Sequence, residues 1–208
     1  MRLDRNGLGQ MLLCAARRLS ENADRLSEID SRFGDGDHGI TMNKIARLIE
    51  EQVLSWGERP IAVFLDDLGM AAMEVKGGSA GPLYGTMISG LGMRLGEEES
   101  ELDGDSVRRM FAGCLAEMEE ITTAKVGDKT MMDALIPAAE AVREAGSDAD
   151  VKALFTAAAE AAEDGAKASE GFVSKYGRAR SYKEQTIGTP DAGAVSTALF
   201  LRGLADGL

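Results

Sequence analysis

The sequence predicts an all-α fold, and three observations support this assignment. Apolar residues recur at spacings of three, four and seven along most of the 208 residues, which is the periodicity of a buried helix face. Only four residues are proline and 5% are aromatic, whereas a sheet sandwich is richer in β-branched and aromatic residues. Polar, glycine-rich segments separate the apolar stripes, as expected between helices. We therefore expect a single all-helical domain over residues 1–208.

Eight apolar stripes predict eight helices, and no segment predicts a strand. The first helix is expected over residues 6–28, where Leu8, Met11, Leu12, Ala15, Leu19 and Leu26 share one face. The other stripes run from Met42 to Val53, Phe64 to Val75, Pro82 to Leu91, Val107 to Met118, Met132 to Val142, Val151 to Ala162 and Ala194 to Leu204. A proline is tolerated in a first turn, so Pro82 is expected to begin the fourth helix.

The composition argues against several classes of protein. The net charge is −12, with 35 acidic against 23 basic residues, which disfavours nucleic-acid binding. No run of about 20 apolar residues predicts a membrane span, and the N-terminus lacks the apolar core of a secretion signal. Cys14 and Cys114 form no metal-binding pair and are expected to be buried thiols. These features favour a cytoplasmic protein.

Four of the segments between helices combine glycine with polar residues. They are SRFGDGDHG at 31–39, KGGSAGP at 76–82, VGDKT at 126–130 and GRARSYKEQTIGTPDAG at 177–193. They are the first, third, fifth and seventh connections. If the helices run alternately up and down, every second connection lies at the same end of the bundle. The sequence therefore predicts that these four glycine-rich loops meet at one site.

The first of these loops contains a cluster of carboxylates. Asp30, Asp35 and Asp37 lie within eight residues, and an acidic, all-oxygen ligand set suits Mg²⁺ better than Zn²⁺. A calcium loop starting at Asp35 is excluded, because its sixth and twelfth positions would be Ile40 and Ala46. The alternative is a solvated acidic turn that caps the second helix.

The second loop has the features of an anion-binding turn. Residues 76–82 precede a helix, where free backbone N–H groups and the helix dipole attract phosphate. The loop lacks the Gly-Lys-Ser/Thr ending of a Walker A motif. A close crossing of two helices would explain the same small residues.

Charged residues of the remaining loops could complete such a site. Arg178 and Arg180 could neutralise phosphate, and Asp191 could cap the last helix. An ordinary exposed ion pair is the alternative. His38, the one histidine in the sequence, is expected to hydrogen-bond a phosphate or the backbone.

Taken together, four ordered motifs resemble the L subunits of the dihydroxyacetone kinase family. The motifs are DxxxGDGDHGxxM, GGSAGPLYG, GDKTMMDAL and GRAR…TIGTPDAGAVS, and the match extends over essentially the whole chain. The resemblance implies an eight-helix antiparallel barrel. In that family, ADP or ATP lies across one end of the barrel with its phosphates held by two Mg²⁺ ions.

The resemblance also assigns roles to individual positions. It implies that Asp30, Asp35 and Asp37 ligate the metal and that Arg178 is catalytic. The implied nucleotide contacts are His38, Gly39, Ile40, Thr41, Ser79, Ala80, Thr122, Met131, Arg178, Asp191, Ala192 and Gly193. Two positions depart from the family pattern: Ala192 stands where proline is usual, and Thr122 where glycine is frequent.

Finally, the resemblance implies partners. In this family a separate K subunit holds dihydroxyacetone covalently on a histidine. In some bacteria, a phosphohistidine-carrying M subunit of the phosphoenolpyruvate phosphotransferase system re-phosphorylates the bound nucleotide. Exchange of ATP is the alternative scheme. There are three competing interpretations: another short ketose such as erythrulose is the acceptor, an acyl group is the acceptor as in fatty-acid kinases, or the chain is a nucleotide-loaded regulatory module. A homodimer is compatible with all of them. The short chain argues against the acyl substrate.

Overall fold

The computed structural model describes residues 2–208, and the all-α fold class is confirmed for this part of the chain. The α-helices are α1 (Arg5–Glu21), α2 (Ala23–Ser31), α3 (His38–Leu54), α4 (Ile61–Met73), α5 (Ala80–Gly92), α6 (Gly104–Ile121), α7 (Met132–Glu144), α8 (Val151–Ala168) and α9 (Ala192–Asp206). Two 3₁₀ segments, Ser169–Gly171 and Arg178–Thr186, lie between α8 and α9. Strands β1 (Leu3–Asp4) and β2 (Glu101–Leu102) form a short antiparallel pair.

The structure differs from the sequence-based prediction at two places. The first predicted helix is broken at Asn22, whose side-chain amide donates to the carbonyl of Arg18 at 2.9 Å, so residues 2–208 contain nine α-helices rather than eight. Leu19 and Leu26 are both buried on either side of the break, so the apolar stripe continues through it. The two strands are also additional, and two residues are too few to produce a periodic pattern.

The helices form a closed ring around one apolar core. Each of α3 to α8 packs against the next helix along the chain, and α9 returns to α1, which packs in turn against α3. The core consists mainly of leucine, methionine, alanine and phenylalanine side chains. Cys114 is buried as expected, whereas Cys14 is only half-buried because it lies at the edge of the apolar face of α1; both thiols are free.

Small residues bring neighbouring helices into close contact. A Cβ on Gly85 of α5 would lie 2.5 Å from the carbonyl oxygen of Gly69 in α4, and a Cβ on Gly90 would lie 2.8 Å from Cα of Cys114 in α6. Side chains at either glycine would therefore force α5 away from a neighbour. This packing fixes the direction of α5, whose N-terminus points to the end of the ring described next. No helix within residues 2–208 has the length and apolar character needed to cross a membrane.

Candidate nucleotide and metal site

One cavity of about 330 Å³ lies where the four glycine-rich loops meet. The lining comes from the end of α2 and the turn into α3, the turn into α5, the turn into α7, and both ends of the long segment between α8 and α9. The sequence-based argument that alternate connections share one end of the bundle is therefore consistent with the structure.

The three aspartates lie together at one side of this cavity. Asp30 lies in the last turn of α2, and Asp35 and Asp37 lie in the turn before α3. One carboxylate oxygen from each lies within 4.8 Å of the others. The Gly36 N–H donates to Oδ2 of Asp30 at 2.8 Å, with the Gly36 φ at +75°, in the region that favours glycine. A Cβ on Gly34 would lie 2.3 Å from Oδ1 of Asp30. The glycines thus let the turn fold back onto the carboxylates.

The charges around this cluster are arranged to receive a cation. Burial raises the pKa of Asp37, and the neighbouring carboxylates of Asp35 and Asp30 raise it further, while Arg178 lowers it. Nη1 of Arg178 lies 2.6 Å from Oδ2 of Asp35. Convergent carboxylates repel one another unless a positive charge lies between them. The all-oxygen donor set therefore fits a hard divalent cation such as Mg²⁺.

The turn into α5 forms a cradle of backbone without side chains. A Cβ on Gly77 would lie 1.8 Å from Oγ1 of Thr41, so the loop backbone is pressed against α3. Gly78 has φ at +55°, and a Cβ there would have no atom within 4 Å. Ser79 caps α5 without a side-chain hydrogen bond to the first turn, and Ser79 and Ala80 both line the cavity. The free N–H groups of this turn are therefore placed to bind an anion.

His38 connects the start of α3 to α9. Its Nε2 lies 2.9 Å from Oγ of Ser196, and that hydroxyl donates to the carbonyl of Gly193 at 3.0 Å. Burial lowers the pKa of His38, with the Asp30 charge and the Ala192 backbone opposing this shift. The polar partner of Nε2 is thus a side-chain hydroxyl, which the sequence had not indicated.

The turn into α7 is organised around a buried carboxylate. Asp133 is fully buried, and its two oxygens accept hydrogen bonds of 2.6 Å from the N–H groups of Gly127 and Thr130. Burial raises the pKa of Asp133, against these hydrogen bonds. Lys129 lies between Gly127 and Thr130 in this turn; it is buried and has φ at +61°. The turn places Thr130 and Met131 on the cavity wall.

Asp191 begins α9 at the opposite wall of the cavity. Its Oδ2 accepts from the N–H of Ala194 at 2.8 Å, which satisfies a free donor of the first turn. Its own N–H donates to Oγ of Ser169 at 2.9 Å. Burial raises the pKa of Asp191 to about 7, with the Ala194 hydrogen bond opposing this shift.

Most residues singled out from the sequence line this cavity. They are Asp30, Asp35, Asp37, His38, Ser79, Ala80, Met131, Arg178, Asp191, Ala192 and Gly193. Gly39, Ile40 and Thr41 do not line it: α3 turns them away, with Gly39 against the Ala23 carbonyl and the Ile40 side chain exposed. Arg180 is exposed outside the lining. Thr122 ends α6, where Oγ1 accepts from the N–H of Ala124, and is also outside the lining.

Some lining residues had no assigned role in the sequence analysis. Tyr84, Lys129 and Tyr176 are examples. The Tyr84 hydroxyl is buried and has no hydrogen-bond partner among the described residues. The only signal in the sequence that Tyr84 could belong to the site was its position directly after the GGSAGPL motif, at the apolar spacing of α5.

Comparisons with known proteins agree with this geometry. The family model of the DAK2 domain matches residues 32–206. The chain is 36% identical over 198 residues to a D-erythrulose kinase of Mycolicibacterium smegmatis, covering 92% of this chain and 33% of that protein. It is 30% identical over 211 residues to the ADP-binding subunit DhaL of a PEP-dependent dihydroxyacetone kinase of Listeria innocua, covering 99% of this chain and 96% of that subunit.

A solved structure shares the fold. The dihydroxyacetone kinase from C. freundii, crystallised with AMP-PNP and Mg²⁺, superimposes with a TM-score of 0.72 at 25% identity, covering 97% of this chain and 34% of that chain. The present chain thus spans about a third of the erythrulose kinase and of the solved kinase, and nearly all of the Listeria subunit. Family model, sequence similarity and fold agree: the chain belongs to the DAK2 domain family.

Proposed function

We propose that the chain is the nucleotide-binding subunit of a dihydroxyacetone-type kinase. In this proposal it holds ADP or ATP with Mg²⁺ in the cavity and supplies the phosphoryl group that a ketose accepts. The observation that carries the proposal is the cluster of three aspartate oxygens within 4.8 Å of one another, beside a cavity lined by a glycine cradle and Arg178.

Each wall of the cavity has a role in this proposal. Asp30, Asp35 and Asp37 would hold Mg²⁺, with two ions expected from the family resemblance. The bound metal would neutralise phosphate charge. The backbone at Ser79 and Ala80 would donate to phosphate oxygens, because this turn precedes α5 and has free N–H groups. Further contacts would come from His38, Met131, Asp191, Ala192 and Gly193, which line the same cavity.

Arg178 is the residue we assign to catalysis. Its guanidinium reaches the aspartate cluster from the long segment between α8 and α9. An arginine at this place can neutralise the negative charge that develops on a transferring phosphoryl group. Alignment of the phosphoryl group with the acceptor hydroxyl would supply much of the remaining rate acceleration.

The acceptor and the partners form the finer part of the proposal. The Listeria relative is named as an ADP-binding subunit, which supports the proposal that a separate K subunit holds the ketose. A phosphohistidine-carrying M subunit would re-phosphorylate the nucleotide in the cytoplasm, as the PEP-dependent name of the Listeria relative suggests. Dihydroxyacetone is the proposed acceptor, and the erythrulose kinase relative makes erythrulose the alternative.

Calorimetric titration tests the nucleotide and metal site. ADP with Mg²⁺ is expected to bind the wild-type chain, and Asp35→Asn is expected to weaken binding at least tenfold, because one metal ligand is lost. Asp24→Asn is the matched control, since Asp24 is an exposed aspartate on α2, the helix that also carries Asp30. Undiminished binding to Asp35→Asn would contradict metal-dependent nucleotide capture.

A reconstituted assay tests the acceptor. The chain is mixed with K subunits and either ATP or a phosphorylated M subunit, and phosphate transfer to dihydroxyacetone and erythrulose is measured. Retention of ADP through purification, with slow exchange of labelled nucleotide, would support the M-subunit scheme, and rapid exchange would exclude it. A chain that binds nucleotide but supports no transfer with any pair would instead be a regulatory module.

A further inference from the structure

A buried lysine lies at the point where two walls of the cavity meet. Lys129 is 5% exposed, although lysine side chains are rarely buried without partners. Its φ of +61° lies in the left-handed region, which is unfavourable for a residue with a side chain. An unfavourable backbone conformation persists where surrounding contacts enforce it. The contacts of Lys129 should therefore explain it.

The ammonium group of Lys129 joins the two ends of a long segment. Nζ donates to the carbonyl of Ser169 at 2.6 Å and also to the carbonyl of Thr189. These two acceptors lie 20 residues apart along the chain and enclose the segment that carries Arg178. A further hydrogen bond joins the two ends of the segment, because the N–H of Gly188 donates to the carbonyl of Glu170 at 2.7 Å. Lys129 thus closes the base of this segment.

The two sides that Lys129 connects both contribute to the proposed nucleotide site. Met131 follows two residues after the lysine, and Asp191 follows two residues after Thr189. The walls touch directly, since a Cβ on Gly193 would lie 3.4 Å from Cβ of Met131. The hydrogen bonds of the Lys129 ammonium group therefore help to set the position of Met131 relative to Asp191 and Gly193.

The charges around the lysine favour its protonated form and keep it in place. Burial lowers the pKa of Lys129, while the carboxylates of Asp191, Asp133 and Glu170 oppose this shift. Two of the three ammonium donors are already used by protein carbonyls. These contacts are typical of a group that fixes other residues rather than one that carries the ligand itself.

From this geometry we propose that Lys129 is a positioning residue, which holds the α7 turn and the start of α9 in register so that the nucleotide site is pre-formed. The proposal rests on the proposed nucleotide-binding function. It adds a residue that acts through Met131, Asp191 and Gly193. Because the effect concerns the shape of the whole site, adenosine and ADP should lose affinity by the same factor when the lysine is replaced.

The test compares Lys129→Met with Lys175→Met. Lys175 also joins these two segments, through a 2.6 Å ion pair with Asp128, but its side chain is 61% exposed. For Lys129→Met we expect a loss of at least tenfold in affinity for both adenosine and ADP with Mg²⁺, measured by competition titration. In the reconstituted kinase, KM for ATP should rise by a similar factor while kcat changes less than threefold. Lys175→Met should change each value less than threefold.

Hydrogen exchange without nucleotide separates this proposal from the proposed function. In Lys129→Met, the amides of Gly188 and Asp191 should exchange at least tenfold faster, because they lie at the closure, while core amides of α5 and α9 remain protected. This result would support the positioning role even if the wild-type chain bound no nucleotide. Unchanged exchange at both amides would overturn it.

Two further outcomes are informative. A loss of affinity for ADP with none for adenosine would overturn the positioning role and assign Lys129 to phosphate binding. If Lys129→Met does not fold, Lys129→Gln replaces it, because glutamine is polar and neutral but one bond shorter than lysine, so its amide nitrogen cannot reach the carbonyls of Ser169 and Thr189 together. Lys129→Gln should then show faster exchange at Gly188 and Asp191 than the wild type, and wild-type exchange in that variant would overturn the proposal.

Discussion

Arg178 forms an ion pair with Asp35, with Nη1 2.6 Å from Oδ2. The pair connects the segment between α8 and α9 with the turn into α3. The Arg178 side chain is 70% exposed and that of Asp35 is 41% exposed, so this contact contributes little to stability. A cation held by the three aspartates would compete with Arg178 for Asp35. The guanidinium would then be free to bind phosphate.

Replacement of Arg178 should therefore affect two measurements in opposite directions. In Arg178→Gln the affinity for Mg²⁺ without nucleotide is expected to rise, because a positive charge beside the cluster is removed. Phosphoryl transfer in the reconstituted kinase is expected to fall about 10²- to 10³-fold, because transition-state charge loses a partner. Metal titration by calorimetry and steady-state kinetics measure the two effects.

Arg180→Gln is the control for this prediction. Arg180 is an exposed arginine of the same 3₁₀ segment and does not line the cavity. It should leave both measurements within twofold of the wild type. A fall in Mg²⁺ affinity in Arg178→Gln would show that the arginine supports the metal site instead of competing with the cation.

The contact between α2 and α3 predicts a large effect of Gly39→Ala on stability. A Cβ at this position would lie 1.8 Å from the carbonyl oxygen of Ala23, which is a backbone atom and cannot rotate away. The two helices would have to separate, so the free energy of unfolding should fall by about 3 kcal/mol. Urea denaturation followed by circular dichroism measures this change.

Gly171→Ala is a matched substitution at an open position. A Cβ on Gly171 would have no atom within 4 Å, and its φ is not in the left-handed region. Its effect on the free energy of unfolding is expected to stay within about 0.5 kcal/mol. Similar stabilities of the two variants would mean that α2 and α3 are less closely packed than this structure shows.

The functional end of the molecule could be predicted because its signals are local. Asp30, Asp35 and Asp37 are close in sequence and glycines surround them, so the turn and its carboxylates can be recognised from the sequence alone. The meeting of the four glycine-rich loops followed from counting helices, and the extra break at Asn22 did not disturb that count. The helices α1 and α2 together take the place of the first predicted helix, so the later connections still alternate between the two ends of the bundle.

Other features depend on contacts between distant residues. The role of Lys129 is defined by carbonyls at Ser169 and Thr189, 40 and 60 residues away in the sequence, and backbone acceptors leave no sequence signal. Thr122 was assigned by a family position, yet it lies at the end of α6 outside the cavity lining. Asn22 breaks a helix through its own side-chain hydrogen bond to Arg18, which apolar periodicity cannot reveal.

The buried carboxyl group of Asp191 should make the stability of the fold depend on pH. Burial raises the pKa of Asp191 from 3.8 to about 7 in the folded chain, so between these values the folded chain binds a proton that the unfolded chain has lost. The free energy of unfolding contributed by this group therefore falls as pH rises, by up to about 1.4 kcal/mol per unit. The decline should end above pH 8, where the group is ionised in both states.

Asp191→Asn isolates this effect, because asparagine caps a helix as well as aspartate does but does not ionise. With nucleotide and Mg²⁺ absent, urea denaturation at pH 5, 6, 7 and 8 gives the difference in stability between variant and wild type. This difference is expected to shift in favour of the variant from pH 5 to 7 and to level off by pH 8. Asp191→Ser, a second neutral cap, should give the same pH dependence. A difference that stays constant across this range would show that Asp191 is already ionised in the folded chain at pH 5, and that Lys129 and the Ala194 N–H compensate fully for its burial.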